Sequence, residues 1–195
     1  MTIMMKKTTE FSLTLLKKHF TRIFLTFCLL FPIIYWKYSL SVLTIKGCLL
    51  SLFLLCISIL DWQYQMIYDR LLLPMLISGV LLLPLQPEMI DFSTGICAFA
   101  LSGFLLVLRL ITNGGIGGGD IKLAFVMGIW LGWPSTIYAA LLAFWLGGLY
   151  GTFLILGGAS KTQSVAFGPF LSAGTIISFL FKNEITTLYW SLLNV

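Results

Sequence analysis

Between Ser41 and Leu60 the chain reads SVLTIKGCLLSLFLLCISIL, twenty residues carrying one charge, and the run stops at Asp61. About 20 consecutive apolar residues match an α-helix crossing a hydrocarbon core roughly 30 Å thick. Lys46, near the start of the run, has a stem long enough to bring its ammonium to the interface. The pattern repeats on both sides. Upstream, Phe20 to Trp36 forms another apolar segment, interrupted by Pro32 and closed by Tyr35 and Trp36, aromatic residues suited to an interfacial belt. Downstream come Leu71 to Leu85 with Pro74 and Pro84, Phe92 to Leu110, Ile121 to Trp133, Thr136 to Leu156, and a last segment from Ala166 to Phe181. The segment from Ile121 is short for a crossing unless its helix begins further upstream. Gly147, Gly148 and Gly151 give the following segment a small-residue face, the kind that permits close helix contact. The tail from Lys182 is expected to be short and at best amphipathic.

The expected fold is therefore all-α: a polytopic membrane bundle of about seven transmembrane helices. One membrane domain covers residues 1–195, with a basic segment and first span in 1–40 and a six-helix core in 41–182. Composition agrees. Of 195 residues, 59% are apolar and 10% charged, and the mean hydropathy is +1.01, whereas soluble domains run at roughly 45–50% apolar and 25% charged. Twelve Lys and Arg against seven Asp and Glu give a net charge of +5. No nucleic-acid partner follows, because the cations flank apolar segments and form no basic stripe with interleaved aromatics. With the N-terminus in the cytoplasm, Lys6, Lys7, Lys17, Lys18, Arg22, Arg70, Arg109, Lys122 and Lys161 fall on the cytoplasmic side and only Lys37, Lys46 and Lys182 on the other. That asymmetry is the one expected of a correct orientation. The basic start lacks a small-residue cleavage site of the signal-peptide kind. Cys28, Cys48, Cys56 and Cys97 lie in apolar runs without CxxC spacing, so no metal site or disulfide framework is expected.

Two polar stretches interrupt the apolar pattern on that same side. One is Asp61 to Arg70, DWQYQMIYDR; the other is Asn113 to Leu123, NGGIGGGDIKL, which holds five of the eighteen glycines together with Asp120 and Lys122. Backbone so rich in Gly orders at high entropic cost. At a membrane edge it is expected only where it lines a cavity, since lipid cannot satisfy free N–H and C=O groups. Glu88 and Asp91 fall on the opposite side and cannot join this cluster. Asp61 and Asp120, brought together from different helices, are a minimal set for acid and base chemistry on an amide. Two adjacent carboxyls share one proton, so one activates water while the other polarises the carbonyl. Glycines beside Asp120 let a substrate backbone approach closely. Motifs for zinc hydrolysis, nucleotide binding and Ser-His relays are missing, and His19 is the sole histidine. Each residue has a plainer role as well. Asp120 can cap the helix that follows it, Asp61 can be a helix-end residue, the glycines a flexible turn, and Lys122 a snorkelling cation.

At this point the residues resemble a known family. Gly117-Gly118-Gly119-Asp120 followed by Ile121-Lys122-Leu123 is similar to the GxGD signature of the type IV prepilin peptidases. Asp61, six residues, Tyr68-Asp69 and then Leu71-Leu72-Leu73-Pro74 resembles the family's other aspartate motif, with Tyr68 where the family has Pro. Gly128-Ile129-Trp130-Leu131-Gly132-Trp133 and Ala166-Phe167-Gly168-Pro169-Phe170-Leu171 resemble two further family segments. The resemblance covers roughly residues 43 to 181. It implies a membrane aspartic endopeptidase that removes the basic leader of prepilins or pseudopilins after a Gly, at the cytoplasmic face of the bacterial inner membrane, with no metal or organic cofactor. It implies Asp61 and Asp120 as the catalytic pair, Gly117, Gly118 and Gly119 as the active-site loop, and Asp69 and Lys122 in supporting positions. Bifunctional members carry a CxxC insert between their first two spans and also methylate the new N-terminus. Here that connection is Lys37 to Leu40, so only the peptidase activity is implied. Presenilin-like and signal-peptide-peptidase-like proteases share the GxGD element. The alternative of another class is a non-catalytic transporter or assembly factor of the same fold.

Overall fold

The structure is a computed structural model that describes residues 2–85, 92–158 and 165–192, without the side chains of 2–18, 92, 93, 189, 190 and 192. Glu88, Asp91 and Lys161 lie outside the described residues, as do the side chains of Lys6, Lys7, Lys17 and Lys18. The described residues form α1 (Thr2–Tyr38), α2 (Val42–Tyr64), α3 (Asp69–Leu82), α4 (Phe92–Ile111), α5 (Gly118–Leu131), α6 (Ser135–Leu156), α7 (Gly168–Leu180) and α8 (Lys182–Leu192), with no strand among them. The chain is a multi-pass, all-helical membrane protein. Four segments, His19–Tyr38, Val42–Tyr64, Thr94–Ile111 and Ser135–Leu156, are long and apolar enough to cross a bilayer.

Helices α3, α5 and α7 have only 14, 14 and 13 residues. At about 1.5 Å per residue they extend roughly 20 Å, short of a full hydrocarbon core. Helix α7 begins at the buried Gly168, and irregular backbone is tolerated at such a place only where protein surrounds it. Helix α5 begins at the exposed Gly118 and first becomes buried at Asp120. The expected boundaries shift in three places. Pro32 does not interrupt α1, and Pro74 lies inside α3, as membrane helices allow where neighbours re-satisfy the freed backbone groups. Helix α5 starts at Gly118 rather than Ile121. The tail folds as α8, whose Glu184 carboxylate accepts from the Lys37 ammonium of α1.

Helix α5 is central and packs on α3, α4, α6 and α7, while α2 packs on α1, α3 and α7. Trp130 of α5 is fully buried, and its indole N–H donates to the Met75 carbonyl of α3 at 2.8 Å. The Ser178 hydroxyl of α7 donates to the Ser135 carbonyl at 2.7 Å, and the Tyr38 hydroxyl of α1 donates to the Phe179 carbonyl at 2.6 Å. Two glycines set the closest helix contacts. A β-carbon on Gly128 would lie 2.3 Å from the Ala98 Cα of α4, and one on Gly174 would lie 2.4 Å from the Ala139 carbonyl oxygen of α6. Both obstacles are backbone and cannot rotate away. Small residues at such crossings replace the hydrophobic drive that lipid removes with van der Waals contact. Gly128→Leu must therefore separate α4 from α5. It is expected to destabilise by about 3 kcal/mol, the upper end of the overpacking range, read as earlier thermal unfolding in detergent; unchanged unfolding would contradict this packing.

Candidate active site

The buried residues of α2 include Leu50, Leu54, Ile57 and Asp61, spaced by four, three and four, so one helical face carries the aspartate into the bundle. The helix ends one turn later. Gln65 takes a left-handed conformation, φ 51°, and its N–H donates to the Asp61 carbonyl at 2.8 Å. Residues 66–68 have no regular structure, and Tyr68 is extended, with φ −84°. That value is close to the −65° a proline imposes, so the turn into α3 forms without the family's ring.

Asp61 and Asp120 are 5% and 7% exposed, and the charge of Asp61 acts directly on Asp120. Burying carboxyls is costly unless donors meet them, and both lie beside helix starts. The N–H of Gly168, first residue of α7, donates to Asp61 Oδ2 at 2.9 Å. The backbone of Gly117 lies beside the Asp120 carboxylate, on its Oδ2 side. Gly117 is the N-cap of α5, which places Asp120 at the third helical position. Asp120 is thus not the capping residue itself; it reaches back to the cap, as the acidic member of a capping box does. Its second oxygen, Oδ1, is buried without a hydrogen-bond partner.

The glycines are required by space. A β-carbon on Gly168 would lie 2.6 Å from Asp61 Oδ2, and one on Gly117 would lie 2.8 Å from Asp120 Oδ2. At Gly119 it would meet the Ile67 Cβ at 2.7 Å, so this glycine seats the start of α5 against the α2–α3 connection. A β-carbon on Gly118 would lie 2.8 Å from Arg109 Nη1, a flexible group that can yield. Lys122 and Asp69 meet each other instead of the buried carboxyls. The Lys122 ammonium donates to Asp69 Oδ1 and Oδ2 at 2.7 and 2.8 Å, with both side chains more than half exposed. Gly168 is the site residue that the sequence did not single out as such. Its available signal was Gly-Pro at a helix start, since Pro favours the first helical turn.

The profile of the type IV leader peptidase family matches residues 48–152. The chain belongs to that family. Among curated proteins it is 34% identical over 140 residues to a prepilin leader peptidase/N-methyltransferase of Bacillus subtilis (strain 168), covering 70% of this chain and 55% of the relative. It is 30% identical over 156 residues to the protein of that name from Aeromonas salmonicida (strain A449), covering 76% and 53%. A third relative of the same name, from Pseudomonas putida, is 30% identical over 165 residues, covering 80% and 57%. The chain thus spans about half the length of the curated relatives it matches. No solved structure matches significantly. The family segment contains Asp61, Asp69, Asp120 and Lys122, whereas Gly168 lies beyond it.

The surface pair and the buried contact should behave differently on mutation. Lys122→Gln and Asp69→Asn are each expected to change unfolding stability by less than about 1 kcal/mol, as exposed ion pairs do. Gly168→Val, which drives a branched side chain into the Asp61 carboxyl, should cost about 2 kcal/mol or more. Thermal unfolding of the three purified variants in one detergent compares them, and equal losses would place Asp69 and Lys122 in the buried network.

Proposed function

We propose that the chain is a membrane aspartic endopeptidase that removes the leader from prepilin-type substrates at the cytoplasmic face of a bacterial inner membrane, with its own N-terminus cytoplasmic. One observation carries the reading. Two buried carboxyls from α2 and α5 act on each other electrostatically, Asp61 takes an N–H from the start of α7, and Asp120 Oδ1 is buried without a hydrogen-bond partner. The family of the chain and the names of its curated relatives support the substrate class. The excess of cations on one side supports the orientation.

Two carboxyls that repel each other inside the bundle cannot both ionise easily, so the pair holds one proton. The ionised carboxylate removes a proton from water, whose oxygen attacks the scissile carbonyl carbon, while the protonated carboxyl gives its proton to the carbonyl oxygen. In the tetrahedral species that results, the C–N bond breaks and the leaving amine takes up a proton from the pair. Asp61, fixed by Gly168, and Asp120, beside Gly117, can exchange these roles. Gly117, Gly118 and Gly119 keep side chains out of the approach to Asp120. Asp69 and Lys122 support the site from outside by tying α3 to α5. The proposal covers the peptidase step alone, because α1 and α2 are joined by Ser39 to Ser41, where bifunctional members carry their insert.

Co-expression with a prepilin, scored by the size shift on leader removal, tests the reading. Asp61→Asn and Asp120→Asn are each expected to lower cleavage by 10² or more, the scale of one proton-transfer role, with membrane insertion unchanged. Processing that survives both changes would sink the proposal. Gly168→Ala displaces the Asp61 carboxyl by a fraction of an ångström to an ångström, and misplacement on that scale costs roughly 10²-fold. A Gly168→Ala protein with full turnover would show that the position of Asp61 is unimportant.

A further inference from the structure

Among the described residues, five side-chain polar atoms are buried without a hydrogen-bond partner: His19 Nε2, Ser41 Oγ, Asp120 Oδ1, Ser135 Oγ and Ser172 Oγ. Ser41 precedes the first residue of α2, the end remote from Asp61. Ser135 lies level with Ser178, ten residues beyond Gly168 in α7, whose hydroxyl donates to its carbonyl. Only Asp120 and Ser172 stand close to the helix starts that flank the two carboxyls.

Ser172 is 3% exposed and follows Gly168 by one turn of α7. Residues four apart share a helix face, and a helical side chain covers the turn on the N-terminal side of its own Cα. For Ser172 that turn begins at Gly168. The place a β-carbon would take on Gly168 is 2.6 Å from Asp61 Oδ2, so the Ser172 hydroxyl lies in the layer directly beneath the Asp61 carboxyl. The helices packed on α7 bring mostly apolar groups to that layer: Ile57 follows Asp61 inward on α2, Leu123 and Ala124 follow Asp120 on α5, and α6 presents Ala143. The carboxyl pair is the polar exception.

The hydroxyl also departs from the habit of this chain. Thr26, Ser78, Thr112, Thr136, Thr152 and Thr175 each donate to the carbonyl four residues earlier, the ordinary resort of a hydroxyl in a helix. Ser172 makes no such bond to Gly168. A hydroxyl buried without a partner costs free energy, and the acceptors that can remove that cost are the carboxyls above it.

We infer that Ser172 is a positioning residue of the peptidase: its hydroxyl donates through one bridging water to the Asp61 carboxylate and holds from beneath the group that the Gly168 N–H holds at Oδ2. This rests on the peptidase reading above. A buried water makes about three hydrogen bonds to polar groups that otherwise lack them, and Ser172 Oγ, the Asp61 carboxylate and Asp120 Oδ1 supply that number. Held at two points, the Asp61 carboxylate cannot rotate away from the water that attacks the scissile carbonyl.

The test measures kcat and KM for prepilin cleavage by purified proteins in one detergent. Ser172→Ala introduces no steric strain and is expected to lower kcat roughly tenfold, the scale of one hydrogen bond to a charged group, with KM unchanged. Ser172→Thr and Ser172→Val have nearly the same shape and differ in the hydroxyl, so strain from the added methyl is common to both. The Thr protein is expected to exceed the Val protein in kcat by roughly tenfold. Full kcat in Ser172→Ala, equal kcat in the Thr and Val proteins, or a loss confined to KM would overturn the inference. The peptidase reading is judged by the unaltered protein: if that leaves prepilin uncut, the reading fails and this inference with it, whereas cutting that the Ser172 variants match removes the role of Ser172 alone.

Discussion

Two carboxyls sit inside a membrane bundle, and a helix start answers each of them. The N-terminus of an α-helix presents unsatisfied N–H groups and the positive end of the peptide dipoles, which makes it a natural site for negative charge. Asp61 uses the start of α7 through the Gly168 N–H, and Asp120 lies beside Gly117 at the start of its own helix. A backbone donor meets a carboxylate without adding a full positive charge to it.

The rest of the architecture follows from bringing those helix starts to the carboxyls. Helix α7 begins at the buried Gly168 and α5 at the exposed Gly118; both are shorter than α2, α4 and α6, which pack around them. Their first residues must be small, since a β-carbon at Gly168 or Gly117 would occupy the space of the carboxylate it serves. Close helix packing is required too. With Gly128 against Ala98 and Gly174 against Ala139, α5 and α7 are held to α4 and α6 by backbone-level contact, and the carboxyl pair inherits that rigidity. The ion pair between Lys122 and Asp69 contributes at the surface, where water and salt weaken it.

Much of this was legible in the residues. Apolar runs near 20 residues long gave the helices, and the glycine run gave the irregular backbone beside Asp120. The family pattern named both aspartates. Other features were not legible, for physical reasons. Helices that are apolar on every side carry no periodic signal for the inward face, so nothing local marked Asp61 as continuing the stripe through Leu50, Leu54 and Ile57. Asp120 was offered as a helix cap by its place before an apolar run, but cap and third position differ only in backbone geometry. Pro32 looked like an interruption because proline removes a hydrogen bond, yet a single lost bond does not break a helix supported by its neighbours. Among Gly147, Gly148 and Gly151, sequence could mark a small-residue face but not show that Gly147 meets α7 while the other two stay open.

The sequence by itself determined that the chain is a helical membrane protein and that Asp61 and Asp120 fall at helix boundaries, because length, hydropathy and charge placement are local properties. Tertiary structure alone decided that the two carboxyls share one buried site, and that Gly168, some 107 positions from Asp61 in the chain, supplies the N–H that holds it. Hydrogen bonds and steric exclusion act over a few ångströms, and which residues come that close is set by helix packing.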